Sequence, residues 1–476
     1  MQVEVSVTDD DVRLLIDDSK RRAERSVVAL TDAFIRRIDD YQPVLNAFIT
    51  TTPEAARTAA RGIDELRARD ERLLLDGMAV AVKDNIDVAG VRGTIGSKFF
   101  ATRIAETDAE VVRRLRAAGA VFLGKTLLHE FAFGGTSNNP FYGPCRNPWD
   151  LTRVPGGSSG GSGAAVAADL TIGALGSDTG GSVRTPAHMN GVSALRPTFG
   201  RVSTTGVFPT AWSFDTVGPM ARSVSDIARL FAVMAGFDRK DIRAADQPVV
   251  DPLIALDDGV AGLRIGLPEK FFFEDLDPEL ATHVRAAADI FGELGSDLVE
   301  IELTGAAEAA AAGMRMAVTE AYAVHRTRYE EQPDLFGEDT RRRLAEGKLT
   351  TGADYAALVQ QTYEWQRTLQ ATFDQVDLVL TPTASGVAPK IDEAETVTTT
   401  AHLGRFTYAL SVAHIPVLSL PCGITREGLP VGFQIAARAW QEARLLTAGA
   451  AYQAATDWHR RRPPERAAGS AAPNPT

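Results

Sequence analysis

The chain has 476 residues, and because 45% of them are hydrophobic it can bury a large core in one large domain or several smaller ones. Its 62 Asp and Glu residues outnumber its 50 Lys and Arg residues, and the net charge of −12 argues against a broad phosphate-binding surface. Cys145 and Cys422 lie far apart and outside any Cys/His cluster, which disfavours a disulfide framework and a structural zinc site.

The sequence carries no sign of secretion or membrane insertion. Residues 1–12 lack a basic segment followed by an apolar one. No apolar run approaches about 18 residues, the lower limit for a membrane-spanning helix. Together with the two isolated cysteines, these features predict a cytoplasmic protein that contacts neither membrane nor nucleic acid.

Predicted helices and strands alternate along most of the chain. Helical spacing of apolar residues predicts helices at Val27–Ile38, Pro53–Ala68, Asp108–Ala118, Gly163–Ala168, Ser225–Ala235, Pro278–Leu294, Ala306–Tyr329, Asp354–Phe373 and Glu442–Ala455. Short apolar runs predict strands at Met78–Val82, Ala120–Gly124, Leu263–Leu267, Asp297–Leu303, Leu378–Thr381, Pro416–Leu420 and Val431–Ile435. The alternation predicts an α/β fold, a single large domain whose central mixed β-sheet is covered by helices on both faces.

We divide the chain into three regions. Residues 1–26 form a predicted N-terminal helical segment, and residues 27–459 form the main domain, with a variable helical cap at about 300–375. Residues 460–476, rich in Pro, Ala, Gly and Ser, are predicted to be a disordered tail.

Two loops rich in glycine and serine lie within a stretch, 138–206, that has little helical periodicity. They are Pro155-Gly-Gly-Ser-Ser-Gly-Gly-Ser-Gly-Ala164 and Gly176-Ser-Asp-Thr-Gly-Gly-Ser-Val-Arg-Thr-Pro186. Glycines let the backbone approach a ligand closely, and successive N–H groups in such a loop can bind a developing oxyanion. A flexible linker would have no reason to contain Asp178 and Arg184 beside apolar strand residues. The loops therefore indicate a catalytic site.

Three familiar motifs are excluded or disfavoured. Neither loop has the lysine of a phosphate-binding P-loop. Gly156-Gly-Ser-Ser-Gly160 matches the G-x-S-x-G nucleophile elbow, but no apolar strand precedes it and no later histidine lies in a recognisable catalytic loop. His129-Glu130 lacks the second histidine of the zinc motif HExxH, so His129 is interpreted as a hydrogen-bonded structural residue and no metal site is predicted.

Lys83 directly follows the predicted strand Met78–Val82. Only eight of the 50 basic residues are lysines, so lysine is not the usual choice here for a surface charge. Lys83 could be a snorkelling side chain or an ion-pair partner of Asp84 or Asp87. Alternatively, a buried lysine loses its proton readily and can act as a base near neutral pH.

In the Lys83 segment and the two Gly/Ser loops, the chain resembles the amidase signature family. The resemblance covers about Val27 to Trp458 and is weakest between about 240 and 375. The matching segments are Ala81-Val-Lys-Asp-Asn85, Asn147-Pro-Trp149, the two Gly/Ser loops, Leu195-Arg-Pro-Thr-Phe-Gly-Arg-Val-Ser203, Asp215-Thr-Val-Gly-Pro-Met-Ala-Arg222 and Gly428-Leu-Pro-Val-Gly-Phe-Gln434. One lysine followed by serines 75 and then 24 residues later makes this combination highly specific.

The resemblance implies a Ser–Ser–Lys triad in which Ser182 is the nucleophile. Ser158, after a cis Gly157–Ser158 peptide, would stand between Ser182 and the base Lys83. The backbone N–H groups of Thr179, Gly180, Gly181 and Ser182 would form the oxyanion hole. The chemistry of serine is consistent with this triad, because a serine hydroxyl is a weak nucleophile until a base takes its proton.

Further residues are assigned by the same resemblance. The segment Phe131–Thr136 would border the acyl side of the pocket, with Ala132, Phe133 and Gly134 contacting the substrate, although Phe131 could equally be a core residue. Ser159, Asp178 and Arg184 would support the site without carrying protons. No cofactor is implied.

The expected activity is hydrolysis of the C–N bond of small-molecule carboxylic amides through an acyl-Ser182 intermediate, with aryl esters and carbamates as further candidate substrates. A bacterial, stand-alone amidase, which could form a homodimer, is the main interpretation. One alternative is an amidotransferase A-type subunit that works with protein partners on glutamine and charged tRNA. A catalytically inactive binding protein is the other.

Overall fold

An eleven-stranded mixed sheet forms the centre of the computed structural model, which describes residues 8–394 and 397–464. The strands are β1 (Phe48–Thr51), β2 (Ala79–Lys83), β3 (Val121–Thr126), β4 (Asn138–Asn139), β5 (Gly143–Pro144), β6 (Gly173–Asp178), β7 (Ser193–Arg196), β8 (Thr216–Ala221), β9 (Arg264–Pro268), β10 (Asp297–Ile301), β11 (Leu378–Pro382), β12 (Val417–Ile424) and β13 (Pro430–Ala437). Their order in the large sheet is β1-β3-β2-β6-β8-β7-β12-β13-β11-β9-β10, and β4 and β5 form a separate hairpin.

Parallel and antiparallel pairs both occur across the sheet. β2 runs parallel to both β3 and β6, whereas β8 is antiparallel to β6 and β7. Every residue of β2, β3, β6 and β8 is buried, as expected for strands covered on both faces. Lys83 therefore lies at the end of the fully buried β2, and the loop that carries Ser182 follows the fully buried β6.

Helices cover both faces of this sheet, which confirms the predicted α/β architecture. The described helices are α1 (Asp9–Asp17), α2 (Ser19–Ala23), α3 (Val27–Leu45), α4 (Pro53–Ala68), α5 (Glu110–Ala117), α6 (Gly160–Ala167), α7 (Arg184–Asn190), α8 (Val224–Met234), α9 (Pro278–Glu293), α10 (Ala306–Glu331), α11 (Glu338–Lys348), α12 (Gly352–Gln375), α13 (Val397–Ser411) and α14 (Glu442–Ala455). None of the helices in the described part of the chain combines the length and the apolar character needed to span a bilayer.

The predicted cap corresponds to α10, α11 and α12. Helix α10 packs on both α11 and α12, and it also packs on α13. The cap therefore reaches the main domain through α13, a helix that the sequence did not predict.

Most predicted elements occur within a few residues of their predicted bounds, and α4 and α14 have the predicted bounds. The helix predicted to end at Ile38 is an exception, because α3 continues through Pro43 to Leu45. A proline near the end of a helix removes few hydrogen bonds, and Asn46 closes α3 in the left-handed conformation.

The two ends of the described chain meet on the main domain. The predicted N-terminal helical segment contains α1 and α2, and residues 1–7 lie outside the described residues. The start of the predicted disordered tail is wrong, because Arg462 forms ion pairs with the buried Asp169 and with Asp17 of α1. The rest of that tail, residues 465–476, is also outside the described residues.

Candidate active site

Lys83 ends β2 with its side chain fully buried. Its Nζ lies 2.7 Å from Ser158 Oγ and 2.8 Å from Ser177 Oγ, and Nζ also lies 3.4 Å from the Ser177 carbonyl oxygen. All three partners are uncharged oxygens. The amine is thus held by groups that can hydrogen-bond either of its protonation states.

Neither acidic neighbour in the sequence is paired with Lys83. Asp84 accepts from the Nζ of buried Lys125 at 3.0 Å, and Asp87 binds the guanidinium of Arg103 at 2.6 and 2.7 Å. Lys83 forms no ion pair with any carboxylate among residues 8–394 and 397–464. The ion-pair interpretation of Lys83 is therefore wrong.

The environment of Lys83 favours the uncharged amine. Burial lowers the pKa of Lys83 to about 7, although the more distant Asp178 and Asp215 carboxylates act in the opposite direction. A lysine with such a pKa is largely neutral at slightly alkaline pH and can accept a proton there.

The hydrogen-bond geometry also orients the amine. An uncharged lysine has two N–H donors and one lone pair. The Ser177 carbonyl can only accept, and Ser177 Oγ, which also accepts from Asn85 Nδ2 at 3.1 Å, is suited to take the second N–H. The lone pair is then left for the hydroxyl hydrogen of Ser158.

Ser158 and Ser182 come from neighbouring loops, ahead of α6 and α7 respectively. Ser158 is buried after a cis Gly157–Ser158 peptide, as the resemblance implied, whereas Ser182 is partly exposed in a cavity. The N–H of Ser159 donates to the Ser182 carbonyl at 3.2 Å, which joins the two loops. Within the described residues, no hydrogen bond links the Ser158 and Ser182 hydroxyls. The structure therefore shows the Lys83–Ser158 link and not the second one.

The predicted oxyanion loop is partly occupied by internal hydrogen bonds. The N–H of Gly181 donates to Asp178 Oδ1 at 2.8 Å and is not free for a ligand, a correction to the predicted set of four donors. The N–H groups of Thr179, Gly180 and Ser182 have no acceptor in the described part of the chain. These three N–H groups remain as candidate oxyanion donors.

A buried cluster of three charged side chains, Asp178, Arg184 and Arg196, holds this loop in place. Asp178 accepts from Arg184 at 3.0 and 3.1 Å and from Arg196 at 3.0 Å. These guanidinium groups hold the pKa of the Asp178 carboxyl well below its usual range despite burial. Arg184 also donates to the Thr407 carbonyl at 3.1 Å and to Ser411 Oγ at 2.7 Å. The cluster thus ties the loop to α13.

A cavity of about 340 Å³ opens beside Ser182. Most of its lining comes from residues 132–135, the loop 179–182, the cap helices α10 and α11, and α13. The lining combines apolar side chains with Ser182, Tyr408 and four threonines, and Arg315, Arg343 and Glu346 add charge from the cap. The cap therefore contributes directly to the walls of the candidate site.

The predicted substrate segment divides between cavity and core. Ala132, Phe133 and Gly134 line the cavity, and their contact with a substrate stays a prediction. Phe131 is instead fully buried against Phe208, His325 and Phe336, with ring centroids 5.8, 4.1 and 5.5 Å away. The core interpretation of Phe131 is the correct one.

The remaining predicted residues have supporting contacts. Ser159 Oγ donates to the Ser177 carbonyl at 3.2 Å. His129 lies within hydrogen-bond distance of Asp339, at 3.1 Å, and Thr136, at 3.2 Å, consistent with a structural role. No cluster of three His, Cys, Asp or Glu side chains suited to a metal ion occurs among the described residues.

Sequence reasoning missed two residues of the site. Ser177 lies in the second predicted loop, but nothing in the spacing showed that its oxygens face an amine 94 positions earlier in the sequence. Tyr408 lines the cavity from α13. Because α13 was not predicted, no sequence signal pointed to it.

Comparison with known proteins identifies the family. A family model described as Amidase matches residues 29–446. The chain belongs to the amidase signature family. It is 41% identical to the A-type subunit of the glutamyl-tRNA(Gln) amidotransferase of Methylococcus capsulatus, over 93% of this chain and 96% of that protein. It is 43% identical to the protein of the same name from Azotobacter vinelandii, over 92% and 96%.

Solved structures of this amidase family share its fold. A protein from a vestigial complex linked to the evolutionary origins of an s-triazine catabolic enzyme matches with a TM-score of 0.88 and 34% identity, over 93% of this chain and 98% of that one. A 6-aminohexanoate cyclic dimer hydrolase matches with a TM-score of 0.85 and 29% identity, over 95% and 98%.

Proposed function

We propose that this amidase-family chain hydrolyses the C–N bond of carboxylic amides through a covalent acyl-Ser182 intermediate. The observation that carries the proposal is the 2.7 Å contact between Lys83 Nζ and Ser158 Oγ at a buried amine. A hydroxyl held against an uncharged amine can pass a proton to it, and the partly exposed Ser182 lies in the adjoining loop.

Acylation begins when Ser182 Oγ attacks the amide carbon. The Ser182 proton moves to Ser158 Oγ while the Ser158 proton moves to Lys83 Nζ. The negative charge that develops on the carbonyl oxygen is stabilised by the free N–H groups of Thr179, Gly180 and Ser182. The relay then runs in reverse and protonates the leaving nitrogen as the C–N bond breaks, so that no amide anion has to leave.

Deacylation repeats these steps with water as the nucleophile. Water loses a proton to the relay and attacks the acyl carbon, and Ser182 Oγ regains a proton as the ester bond breaks. The products are a carboxylic acid and the regenerated Lys83–Ser158–Ser182 site. The supporting residues Asp178 and Arg184 hold the loop and take no part in the proton transfers.

The relatives favour one setting for this reaction, the A-type subunit of an amidotransferase. Identities of 41% and 43% extend over nearly the whole of both of these relatives. In this role the chain would release ammonia from glutamine in the cytoplasm, and protein partners would use it on charged tRNA. An acidic chain suits this division of labour, because the partners rather than this chain would bind the RNA.

A stand-alone amidase is the second candidate, favoured by the lining of the cavity. Phe133, Met314, Val318 and Leu403 present apolar surface beside Ser182. Such a pocket suits an apolar acyl or aryl group, including those of aryl esters and carbamates. The similarity to a 6-aminohexanoate cyclic dimer hydrolase also supports this candidate.

One experiment tests the reaction and separates the two candidates. The purified chain, alone and with any co-purifying partner, is assayed on glutamine, aryl amides and carbamates, and Ser182 is probed with a fluorophosphonate. Glutamine turnover that requires a partner supports the amidotransferase role, and aryl-amide turnover by the chain alone supports the stand-alone enzyme.

Ser182→Ala should lower either activity by at least about 10⁴-fold. A variant that keeps wild-type turnover and folding would refute the nucleophile assignment.

A further inference from the structure

The ring of Tyr408 packs against the candidate oxyanion loop at a place where three glycines, Gly180, Gly313 and Gly404, lie close to it. A Cβ added at Gly180 would lie 2.1 Å from Tyr408 Cζ. One added at Gly404 would lie 3.1 Å from Tyr408 Cδ2, and one added at Gly313 would lie 2.3 Å from Val412 Cγ1 and 3.3 Å from Tyr408 Cδ1. The absence of a side chain at these positions thus creates the space that the ring fills.

The helix that carries Tyr408 is itself fixed to the oxyanion loop. Thr407 Oγ1 donates to the Gly180 carbonyl, and the Thr407 carbonyl accepts from Arg184 at 3.1 Å. Ser411, one turn later, accepts from Arg184 at 2.7 Å. Because the adjacent backbone is anchored in this way, the aromatic ring has a fixed position relative to Ser182.

The hydroxyl of Tyr408 has no hydrogen-bond partner in the described part of the chain. Tyr408 lines the same cavity as Ser182, and its hydroxyl forms no hydrogen bond with any residue in the described ranges. Burial raises the pKa of Tyr408 to about 12, so the phenol keeps its proton over the working pH range and is a donor. Tyr408 is only partly buried, so its hydroxyl donor is accessible from the cavity and free to bind an acceptor there.

Building on the proposed amide hydrolysis, we propose that Tyr408 is a specificity-determining residue whose hydroxyl donates a hydrogen bond to a second oxygen of the substrate, beyond the scissile carbonyl. The scissile oxygen already has candidate donors in the N–H groups of Thr179, Gly180 and Ser182. The preferred substrates are therefore amides that carry a further carbonyl, carboxylate or ether oxygen close to the reacting group.

The test compares matched substrates in the wild type and in Tyr408→Phe, which keeps the ring and removes only the hydroxyl. The substrates are nitroanilides whose acyl chains carry one keto oxygen at successive positions, each paired with its methylene analogue. We expect the wild type to prefer one keto substrate. On that substrate Tyr408→Phe should lose about tenfold in kcat/KM, and on the analogues less than about twofold, because only the keto substrate loses a hydrogen bond.

Two results would overturn the inference. One is a wild type that shows no preference for any keto substrate, and the other is a Tyr408→Phe variant that changes both members of each pair equally. Failure of the proposed function would look different, because neither enzyme would then turn over any amide and fluorophosphonate would not label Ser182. Tyr322→Phe is the matched control, since the Tyr322 hydroxyl pairs with Glu330 at 3.0 Å on the exposed surface of the cap. The Tyr322→Phe variant should have the wild-type ratio of kcat/KM between each keto substrate and its methylene analogue.

Discussion

Lys83 is a residue whose burial lowers the stability of the folded protein. The ammonium group of lysine is costly to bury without a carboxylate partner, and here its partners are the neutral oxygens of Ser158 and Ser177. The buried amine of Lys83 therefore reduces the stability of the fold, and in the proposed mechanism it supplies a base. Lys125, which is also buried, shows the structural alternative, because it is paired with Asp84 at 3.0 Å.

The cost of burying Lys83 should be visible in the pH dependence of stability. Its pKa falls from 10.5 to about 7 on folding, so the penalty is full below pH 7, declines as the pH rises from about 7 to 10.5, and is absent above that range. Lys83→Met should therefore raise the free energy of unfolding by up to about 4 kcal/mol at pH 6, with a smaller gain at pH 9. Urea unfolding at several pH values measures this difference.

A variant of the paired lysine provides the comparison. Lys125→Met leaves the buried Asp84 carboxylate without its cation and should destabilise the protein. A stability difference for Lys83→Met that did not change with pH would contradict a depressed lysine pKa.

At the scale of elements, the conformation of the candidate oxyanion loop depends on its contact with α13. Gly181 has a φ of +130°, and a Cβ there would lie 2.2 Å from Thr407 Oγ1 of α13. Both a backbone conformation that disfavours side chains and a collision with α13 therefore oppose any other residue at this position.

Gly181→Ala should abolish fluorophosphonate labelling of Ser182 by displacing the loop or α13. Gly428→Ala is the matched control, because Gly428 also has a positive φ, +83°, yet has nothing within 4 Å of an added Cβ. It should lose about 1 kcal/mol of stability and keep wild-type labelling. Equal labelling by both variants would show that contact with α13 does not position the loop.

The elements also show where sequence reasoning succeeds. Helix α4 has a proline at its first position and apolar residues at helical spacing, so local signals alone fix its bounds. Strand β6 has no such signal, because Gly173–Asp178 is made largely of small and polar residues that suit a strand only when both faces are covered. Helix α7 was missed because Pro186 is typical of a loop, although the first turn of a helix also accepts proline.

In the candidate site, too, features with a sequence signal could be predicted and features set by tertiary packing could not. The triad residues could be predicted because their spacing matches a family, and the Lys83–Ser158 contact agrees with that prediction. The occupied N–H of Gly181 and the position of Tyr408 could not be predicted, since they depend on the folded loop and on the packing of distant segments. Contacts such as that between Tyr408 and Gly180 join residues far apart in the chain and leave no trace in the local pattern.

At the scale of the whole molecule, buried ion pairs join the two ends of the described chain. Asp169 is buried and accepts from Arg222 and Arg462, each at 2.7 Å, while Arg462 also contacts Asp17 at 3.0 Å. These cations hold the pKa of the Asp169 carboxyl below its usual value in spite of burial. The segment after α14 is therefore part of the fold.

Arg462→Ala should lower the free energy of unfolding by about 1–3 kcal/mol, because it removes charged hydrogen bonds from a buried carboxylate. The neighbouring Arg461→Ala should cost less than about 1 kcal/mol, since the Arg461–Asp457 ion pair is more than half exposed. Both should retain wild-type kcat, because these residues lie outside the cavity that contains Ser182. Thermal unfolding measures the stability of the two variants, and amide turnover measures their kcat. Equal losses of stability in the two variants would contradict a structural role for Arg462.

The central claim, that uncharged Lys83 activates Ser182 through Ser158, is tested most directly by the rate at which fluorophosphonate labels Ser182 as a function of pH. In the wild type this rate should rise about tenfold per pH unit below a midpoint near 7 and level off above it, following deprotonation of Lys83. In Lys83→Met the rate should be lower by at least about 10³-fold and the step near pH 7 should be absent. A variant that labels at the wild-type rate with the same midpoint would contradict the claim.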